Sequence, residues 1–321
     1  GLNSWVEVPL GNPDEPIGYL SLRSLEMNTY GEDDLNILMR VVAYISPAIE
    51  NGLLYAQAQK EATHNEALTL IDALLHAAED WLREQGMNRA LGPISMSIWE
   101  EPGLLVKGQD HDPMIMMGHH PEHYQHWIES AGYARAKTLL TYDLDVTGDF
   151  PPLIRRIVQS GERNDRITVR PVDTARWDEE VAIILEILND AWSDNWGFVP
   201  FTSAEIANAG KKLKPIIHAD INLIAELDGK PVAFMLTFPD VNAVLRKIKG
   251  RLFPFGWFHL LRWLRRPRNA AMRVPLMGVR RELHNSRLAS QLAFMMIGQI
   301  RDVATVRYGT RRAEIGWILD D

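Results

Sequence analysis

A strand-to-helix turn in the last quarter of the sequence has the setting of a phosphate site. Residues 278–290 read GVRRELHNSRLAS and lie between the apolar run RVPLMGV and the helix-like LASQLAFMMIGQI. The first turn of a helix offers backbone N–H groups that have no partner within the helix, and these groups bind phosphate. Such turns usually carry glycine, yet none lies between Val279 and the helix. The setting predicts a phosphate turn, with an ordinary connection as the alternative.

A second cluster of potentially reactive side chains lies in the first half of the chain and consists of His111, His119, His120, His123 and His126. Spacings of three and four residues place histidines on one helical face, which is a common arrangement for metal ligands. However, Pro121 begins the helix between them, and no carboxylate or cysteine completes a recurrent ligand pattern. We therefore favour a polar cluster at a helix N-terminus and expect no metal.

Residues 247–268, KIKGRLFPFGWFHLLRWLRRPR, combine basic residues with phenylalanine and tryptophan and contain no acidic residue. Four interpretations remain open: an interfacial helix on anionic lipid, a lid over an acyl chain, a nucleic-acid surface, and a helical insertion that covers the sheet and has a solvated basic edge. We rank the lid or cover first and membrane contact second. Nucleic acid is not expected, because the rest of the domain has no basic stripe.

The composition is that of a globular protein, with 46% hydrophobic and 24% charged residues among 321. The absence of cysteine excludes disulfides and thiolate metal sites. We find no signal peptide and no apolar run that could span a bilayer, so the cytoplasm is the expected location. Residues 1–165 carry a net charge of −14 and residues 166–321 one of +6, which indicates a boundary near the middle.

The elements around the turn can be predicted from periodicity. Residues 167–321 predict strand, helix, helix, three strands, a loop, a helix and a final strand. Thr202 and Glu205 predict a capping box for the second helix, and Asp228-Gly229 predicts a hairpin between two strands. Residues 63–148 predict helix, strand, helix and strand around WIESAGY, and residues 149–166 read as a polar connector.

This element order resembles that of the GNAT acyltransferases. Residues 167–321 resemble such a domain up to its fifth strand, and residues 63–148 resemble the C-terminal half of a second one. The resemblance implies an α/β (α+β) fold in which helices flank a mixed central sheet. It also implies transfer of an acyl group from acetyl-CoA or another acyl-CoA to an amine.

In GNAT enzymes the fourth strand runs into a loop of pattern Val-x-x-x-x-(Gln/Arg)-Gly-x-Gly-x-(Gly/Ala), which holds the pyrophosphate of coenzyme A. His284 stands at the Gln/Arg position, and Asn285 and Arg287 stand at the two glycines. Asparagine tolerates positive φ and can keep the turn, while Arg287 can pair with phosphate. The resemblance implies a coenzyme A site made of Leu276, Met277, Gly278, Val279, His284, Asn285, Ser286, Arg287, Leu288 and Ala289.

Direct attack of an amine on a thioester requires a general base and a donor for the oxyanion. The strand RVPLMGV contains no carboxylate. The remaining candidates for the base are Glu314 on the fifth strand and Asp194 in the loop after the first helix, with a solvated or capping carboxylate favoured as the alternative for each. Trp196 and Phe198 in that same loop are expected either to line the acceptor cleft or to anchor the loop.

The start of the chain resembles a different family. Two strand-like runs in residues 5–25 precede YGEDDL, which opens a long amphipathic helix with a kink predicted at Pro47. This order resembles the C-terminal half of a GAF domain. The first half of such a domain is absent from the sequence, so no ligand-binding residue is transferred.

These patterns predict four segments: a partial GAF-like segment at 1–62, a partial GNAT-like unit at 63–148, the connector at 149–166 and a GNAT-like acyltransferase domain at 167–321. The predicted function is an N-acyltransferase that acts, most simply with acetyl-CoA, on a small-molecule or protein amine. The alternative is a non-catalytic GNAT/GAF-like module that senses a ligand or assembles with partners.

Overall fold

The computed structural model describes residues 4–12, 15–24, 64–95, 101–202 and 217–320, together with single positions between 32 and 46 and between 204 and 214. The chain divides into two compact units, one formed by residues 1–46 and 141–317 and the other by residues 47–140 and 318–321.

Seven helices and ten strands have defined bounds in these described segments. The helices are α1 His64–Glu84, α2 His123–Ser130, α3 Pro152–Glu162, α4 Trp177–Ala191, α5 Asn242–Lys247, α6 Gly256–Arg265 and α7 Arg287–Tyr308. The strands are β1 Ser4–Asn12, β2 Glu15–Ser24, β3 Ile94–Ser95, β4 Glu101–Pro102, β5 Leu139–Asp145, β6 Ile167–Pro171, β7 Leu223–Leu227, β8 Lys230–Pro239, β9 Met272–Val279 and β10 Arg312–Leu319.

Six strands form one mixed sheet in the order β5-β10-β9-β8-β7-β6. Strands β6 to β9 are antiparallel neighbours, whereas β9 and β10 are parallel. Helix α7 covers one face of this sheet, where Leu292 and Met296 pack with Met272 and Val274. Helix α4 contacts β8 and β9, and α3 packs against α7. The predicted fold class, a mixed central sheet flanked by helices, is confirmed.

Local signals in the sequence account for the connections within this sheet. Asp228 and Gly229 both have positive φ, 52° and 75°, as the two-residue turn between β7 and β8 requires. The backbone N–H and the hydroxyl of Thr202 donate to Glu205 at 2.8 Å, and the Glu205 N–H donates to the Thr202 hydroxyl at 3.3 Å. The predicted hairpin and capping box are therefore both confirmed.

Two segments outside 167–321 also belong to the compact unit that holds the sheet. Residues 139–145, which were predicted to close the first GNAT-like unit, form the edge strand β5 next to β10. Residues 152–162 of the predicted connector form α3. The four predicted segment boundaries themselves stay a prediction.

The N-terminal part contains an antiparallel hairpin of β1 and β2, paired from Ser4 with Ser24 to Asn12 with Glu15. The single described positions between 32 and 46 are helical, in agreement with the predicted long helix. The kink predicted at Pro47 lies outside the described residues, and the GAF-like assignment stays a prediction. In the parts of the chain that the structure describes, no helix is both long and apolar enough to cross a bilayer.

Candidate functional site

The central feature of the site is a separation between two parallel strands. β9 and β10 pair over three positions: Met272 with Ala313, Arg273 with Glu314, and Val274 with Ile315. β9 continues to Val279 and pairs there with β8 on its other side. The structure describes every residue of both strands, and their pairing ends at Val274 and Ile315. β9 and β10 therefore separate after Val274. Within the described part of the chain, one backbone edge of residues 275–279 therefore has no strand partner.

The turn after β9 keeps a left-handed residue without using glycine. Asn285 has φ 60°, the region that asparagine tolerates better than other non-glycine residues. His284 Nε2 lies 2.8 Å from the Val279 carbonyl oxygen, which bridges the two ends of the turn. The Ser286 hydroxyl donates to the Leu283 carbonyl and accepts from the Ala289 N–H at 3.2 Å, so Ser286 is the N-cap of α7. Arg287, in the first turn of α7, is exposed.

Substitutions at Asn285 should separate the backbone requirement from the side chain. We expect Asn285→Gly to leave the free energy of unfolding within about 1 kcal/mol of the wild type, because glycine adopts positive φ without strain. Asn285→Val should cost about 1–3 kcal/mol, because a β-branched residue is strained there. Urea unfolding followed by circular dichroism measures both values. Equal stability of the two variants would contradict the importance of this backbone conformation.

The C-terminal end of α4 fixes the turn through carboxylates. The Arg280 guanidinium donates to Glu186 at 2.8 Å, and the backbone N–H of Arg281 donates to Asp190 at 2.8 Å. Arg281 also pairs with Asp194, whose side chain is 73% exposed. Asp194, a candidate base in the sequence, is thus an exposed member of an ion pair that ties the α4 loop to the turn.

The loop after α4 reaches the open part of β9. The Trp192 indole N–H donates to the Met277 carbonyl at 3.0 Å. Asn189 closes the loop at its far end, because its amide exchanges two hydrogen bonds with the Phe201 backbone at 3.0 and 3.2 Å. Trp196 and Phe198 lie between these two anchors and are half-buried. The predicted acceptor loop therefore borders the predicted coenzyme A strand, with Trp192 as the residue in direct contact.

A buried charged pair occupies the closed end of the strand separation. Arg273 is fully buried, and its guanidinium lies 3.5 Å from Glu314 and 5.3 Å from the centre of the Trp317 ring. None of the three guanidinium nitrogens has a hydrogen-bond partner among the described residues, and neither does Glu314 Oε1. Buried polar groups are nearly always hydrogen-bonded in folded proteins. Both members of this ion pair therefore keep unmet hydrogen-bonding capacity in the protein interior.

Burial changes the acid–base properties of both partners. Burial raises the pKa of Glu314 above its ordinary value of 4.5, and the Arg273 guanidinium opposes this rise. Burial lowers the pKa of Arg273 to about 10, while Glu314 acts in the opposite direction. A carboxylate with a raised pKa is a better proton acceptor than an exposed one. Burial therefore makes the Glu314 carboxylate a stronger proton acceptor than an exposed carboxylate.

The structure brings together the three groups of residues that the sequence singled out: the end of β9, the turn through Ala289, and the loop after α4. Sequence reasoning missed Trp192, Asp190 and Arg273. The signal for Arg273 was available, since an arginine within an otherwise apolar strand-like run suggests a buried cation with a special role.

The predicted histidine cluster is engaged in local contacts. His120 Nδ1 accepts the Leu105 N–H at 3.1 Å, His119 Nε2 lies 3.0 Å from the Gln109 carbonyl, and the His123 ring lies 4.2 Å from the Trp127 ring. In the segments that the structure describes, no three histidine or carboxylate side chains converge as metal ligands would.

Comparison with known proteins gives two relatives with extensive similarity. The bacterial ceramide synthase of Caulobacter vibrioides is 38% identical over 296 residues, which cover 92% of this chain and 76% of that protein. Protein YghO of Escherichia coli is 39% identical over 249 residues, which cover 77% of this chain and 63% of that protein. No protein-family model matches the chain.

Among solved structures, a GCN5-related N-acetyltransferase from Sphaerobacter thermophilus aligns with 60% of this chain and 55% of its own, at 17% identity and a TM-score of 0.30. A score of this size transfers no residue role.

Proposed function

The chain belongs to the family of the Caulobacter vibrioides bacterial ceramide synthase, and on that premise we propose that it is an acyl-CoA-dependent N-acyltransferase. A ceramide is the amide of a fatty acid and a long-chain amino alcohol. The proposed donor is therefore a fatty acyl-CoA and the proposed acceptor a long-chain amine, in place of the acetyl group that the sequence alone suggested. The single observation that carries the proposal is the separation of β9 and β10, with a helix-capping turn at its open end and the Arg273–Glu314 pair at its closed end.

The proposed donor fits between these two ends. Val279 and Arg273 are six residues apart, or roughly 20 Å along an extended strand. An extended pantetheine arm that starts from a pyrophosphate at the turn would run along the open edge of β9 toward Glu314. The first-turn N–H groups of α7 and the exposed Arg287 are proposed to bind the negatively charged pyrophosphate. The backbone N–H of Met277, which faces away from β8, is proposed to orient the thioester carbonyl.

Glu314 is proposed to act as general base. It accepts a proton from the acceptor nitrogen as that nitrogen forms a bond with the thioester carbon, and the carbon–sulfur bond then breaks. Coenzyme A leaves as a thiolate and takes up a proton. Arg273 is proposed as a positioning residue, because its guanidinium opposes the rise in the pKa of Glu314 and keeps the carboxylate able to accept a proton.

The direct test incubates the protein with palmitoyl-CoA or acetyl-CoA and with either sphinganine or a short-chain amino alcohol. Free thiol release and mass spectrometry of the amide measure the reaction. We expect amide formation with the long-chain donor and acceptor. Calorimetric titration with palmitoyl-CoA provides a second readout. Binding without amide formation would favour the alternative of a non-catalytic module, and the absence of both binding and reaction would overturn the proposed site.

A further inference from the structure

The basic segment at residues 247–268 forms α5, a loop and α6, and part of it presents aromatic side chains to solvent. Phe253, Phe255 and Phe258 are 60%, 70% and 54% exposed. Large apolar side chains that cluster on a surface usually mark an interaction site. A helical cover would turn its apolar side chains toward the sheet, so the cover interpretation does not account for these exposed rings.

The exposed rings are held in place by ordered backbone. The Trp257 N–H donates to the Leu252 carbonyl at 2.8 Å, and the Trp257 indole donates to the Pro254 carbonyl at 3.1 Å. On the inner side of α6, Leu260 is fully buried. The loop and the helix are therefore anchored on one side, which leaves the three phenylalanines facing outward on a preformed surface.

Basic side chains surround the exposed rings. Phe258, Arg262 and Arg265 follow one another at spacings of four and three residues, so they share one face of α6, and both arginines are exposed. Arg251 and Arg266 are exposed beside this face. The sequence contains no acidic residue between Asp240 and Glu282. We call this set the basic aromatic surface: Phe253, Phe255 and Phe258 with Arg251, Arg262, Arg265 and Arg266.

We infer that the basic aromatic surface docks on an anionic lipid bilayer. Phenylalanine rings insert among the acyl chains next to the headgroups, and arginines around them contact lipid phosphates. The charge of the surface complements anionic lipid. The inference stands independently of the proposed reaction, although a surface of this kind would suit an enzyme whose substrates are lipids.

Vesicle co-sedimentation of the whole chain, without any substrate, tests this inference. Vesicles of phosphatidylcholine alone are compared with vesicles in which about a third of the lipid is phosphatidylglycerol. We expect binding to the anionic vesicles to be at least roughly tenfold tighter than to the neutral ones, and to weaken as salt rises from about 0.1 to about 0.5 M. Equal binding to both vesicles, or binding to neither, would overturn the inference.

Two triple variants separate the apolar contribution from the charged one. The first variant replaces Phe253, Phe255 and Phe258 by serine, and the second replaces Arg262, Arg265 and Arg266 by glutamine. Each variant should bind anionic vesicles more weakly than the wild type by roughly tenfold or more. The matched charge control replaces the exposed Arg156, Arg163 and Lys211 by glutamine, and the apolar control is Leu153→Ser, at a residue 66% exposed. Both controls should bind vesicles like the wild type, and circular dichroism verifies that every variant is folded.

The same variants identify other occupants. If the charge control lost as much vesicle binding as the arginine variant, the binding would reflect net charge and the inference would be wrong. If both triple variants lost binding to single-stranded DNA or polyglutamate while keeping vesicle binding, the surface would serve those partners and not lipid. If the phenylalanine variant changed only the affinity for palmitoyl-CoA, the segment would be a lid and the inference would fail.

Discussion

Replacing Glu314 by glutamine should lower kcat for amide formation by at least about a hundredfold, since the amide cannot accept the proton of the attacking amine. Glutamine keeps the size of the side chain and places a carbonyl oxygen near the Arg273 guanidinium. The affinity for palmitoyl-CoA should therefore remain within about threefold of the wild-type value. Steady-state kinetics with sphinganine, together with calorimetric titration of the donor, measure the two quantities.

The pH dependence of the wild-type rate gives an independent readout of the same role. Burial raises the pKa of Glu314 above 4.5, and the base acts only when it is deprotonated. The acidic side of the kcat profile should therefore rise with pH through a pKa above that value, and Glu314→Gln should lose this limb. Glu179→Gln, at an exposed position on α4, is the matched control and should keep its rate within about twofold. If Glu314→Gln retained half of the activity, another group would have to be the base.

Replacing Arg273 by methionine should lower the free energy of unfolding by about 3–5 kcal/mol, because it removes the nearer and fully buried cation of a buried carboxylate. Among the described residues, only Arg312, 4.0 Å from the other carboxylate oxygen, then remains as a cation beside Glu314. Arg273 is fully buried beside Glu314, so water cannot take over the lost interaction. Removal of the guanidinium also raises the folded-state pKa of Glu314 further above its unfolded value. Urea unfolding at several pH values measures both effects.

The sign of the pH effect follows from linkage. A carboxyl group with a raised folded-state pKa contributes stability below its unfolded pKa, and this contribution is lost as the pH rises through the folded-state pKa. The deficit of Arg273→Met should therefore be larger at about pH 8 than at about pH 4. The double variant Arg273→Met/Glu314→Gln should recover part of the loss, because no charge is then left buried.

A solvent-exposed ion pair provides the control for this experiment. Arg166 donates three side-chain hydrogen bonds to Asp228 in a pair whose side chains are 59% and 52% exposed. Arg166→Met should cost no more than about 1 kcal/mol, because solvent screens an exposed pair. If Arg273→Met were as mild as Arg166→Met, burial would not make the Arg273–Glu314 pair more important for stability than an exposed pair.

The turn after β9 could be predicted closely from the sequence, because its determinants are local. The positive φ of Asn285, the capping box of Thr202 and Glu205, and the turn at Asp228-Gly229 each depend on a few neighbouring residues. The element order from β6 to β10 was predictable for the same reason, since hydrophobic periodicity is also a local property.

The site beyond the turn could not be predicted in the same way. Arg273 and Glu314 meet only because two parallel strands align, and their burial depends on the whole sheet. Trp192 reaches the Met277 carbonyl across 85 residues of sequence, and no spacing rule links them. The membership of β5 in the C-terminal sheet was missed because the edge position next to β10 depends on long-range pairing.

That position of β5 has a consequence for how the chain folds. β10 lies between β5 and β9 in the sheet, so β5 has no sheet partner until β10 has been synthesised. During translation, more than half of the chain is synthesised after β5 and before its pairing partner is complete. Leu140, Tyr142 and Leu144 lie on this strand while it is unpaired. Pairings between segments so distant in sequence slow folding and leave strand edges open to other chains. The last step of folding should therefore be the closure of β5 onto β10, and this step determines how long the nascent protein depends on protection from aggregation.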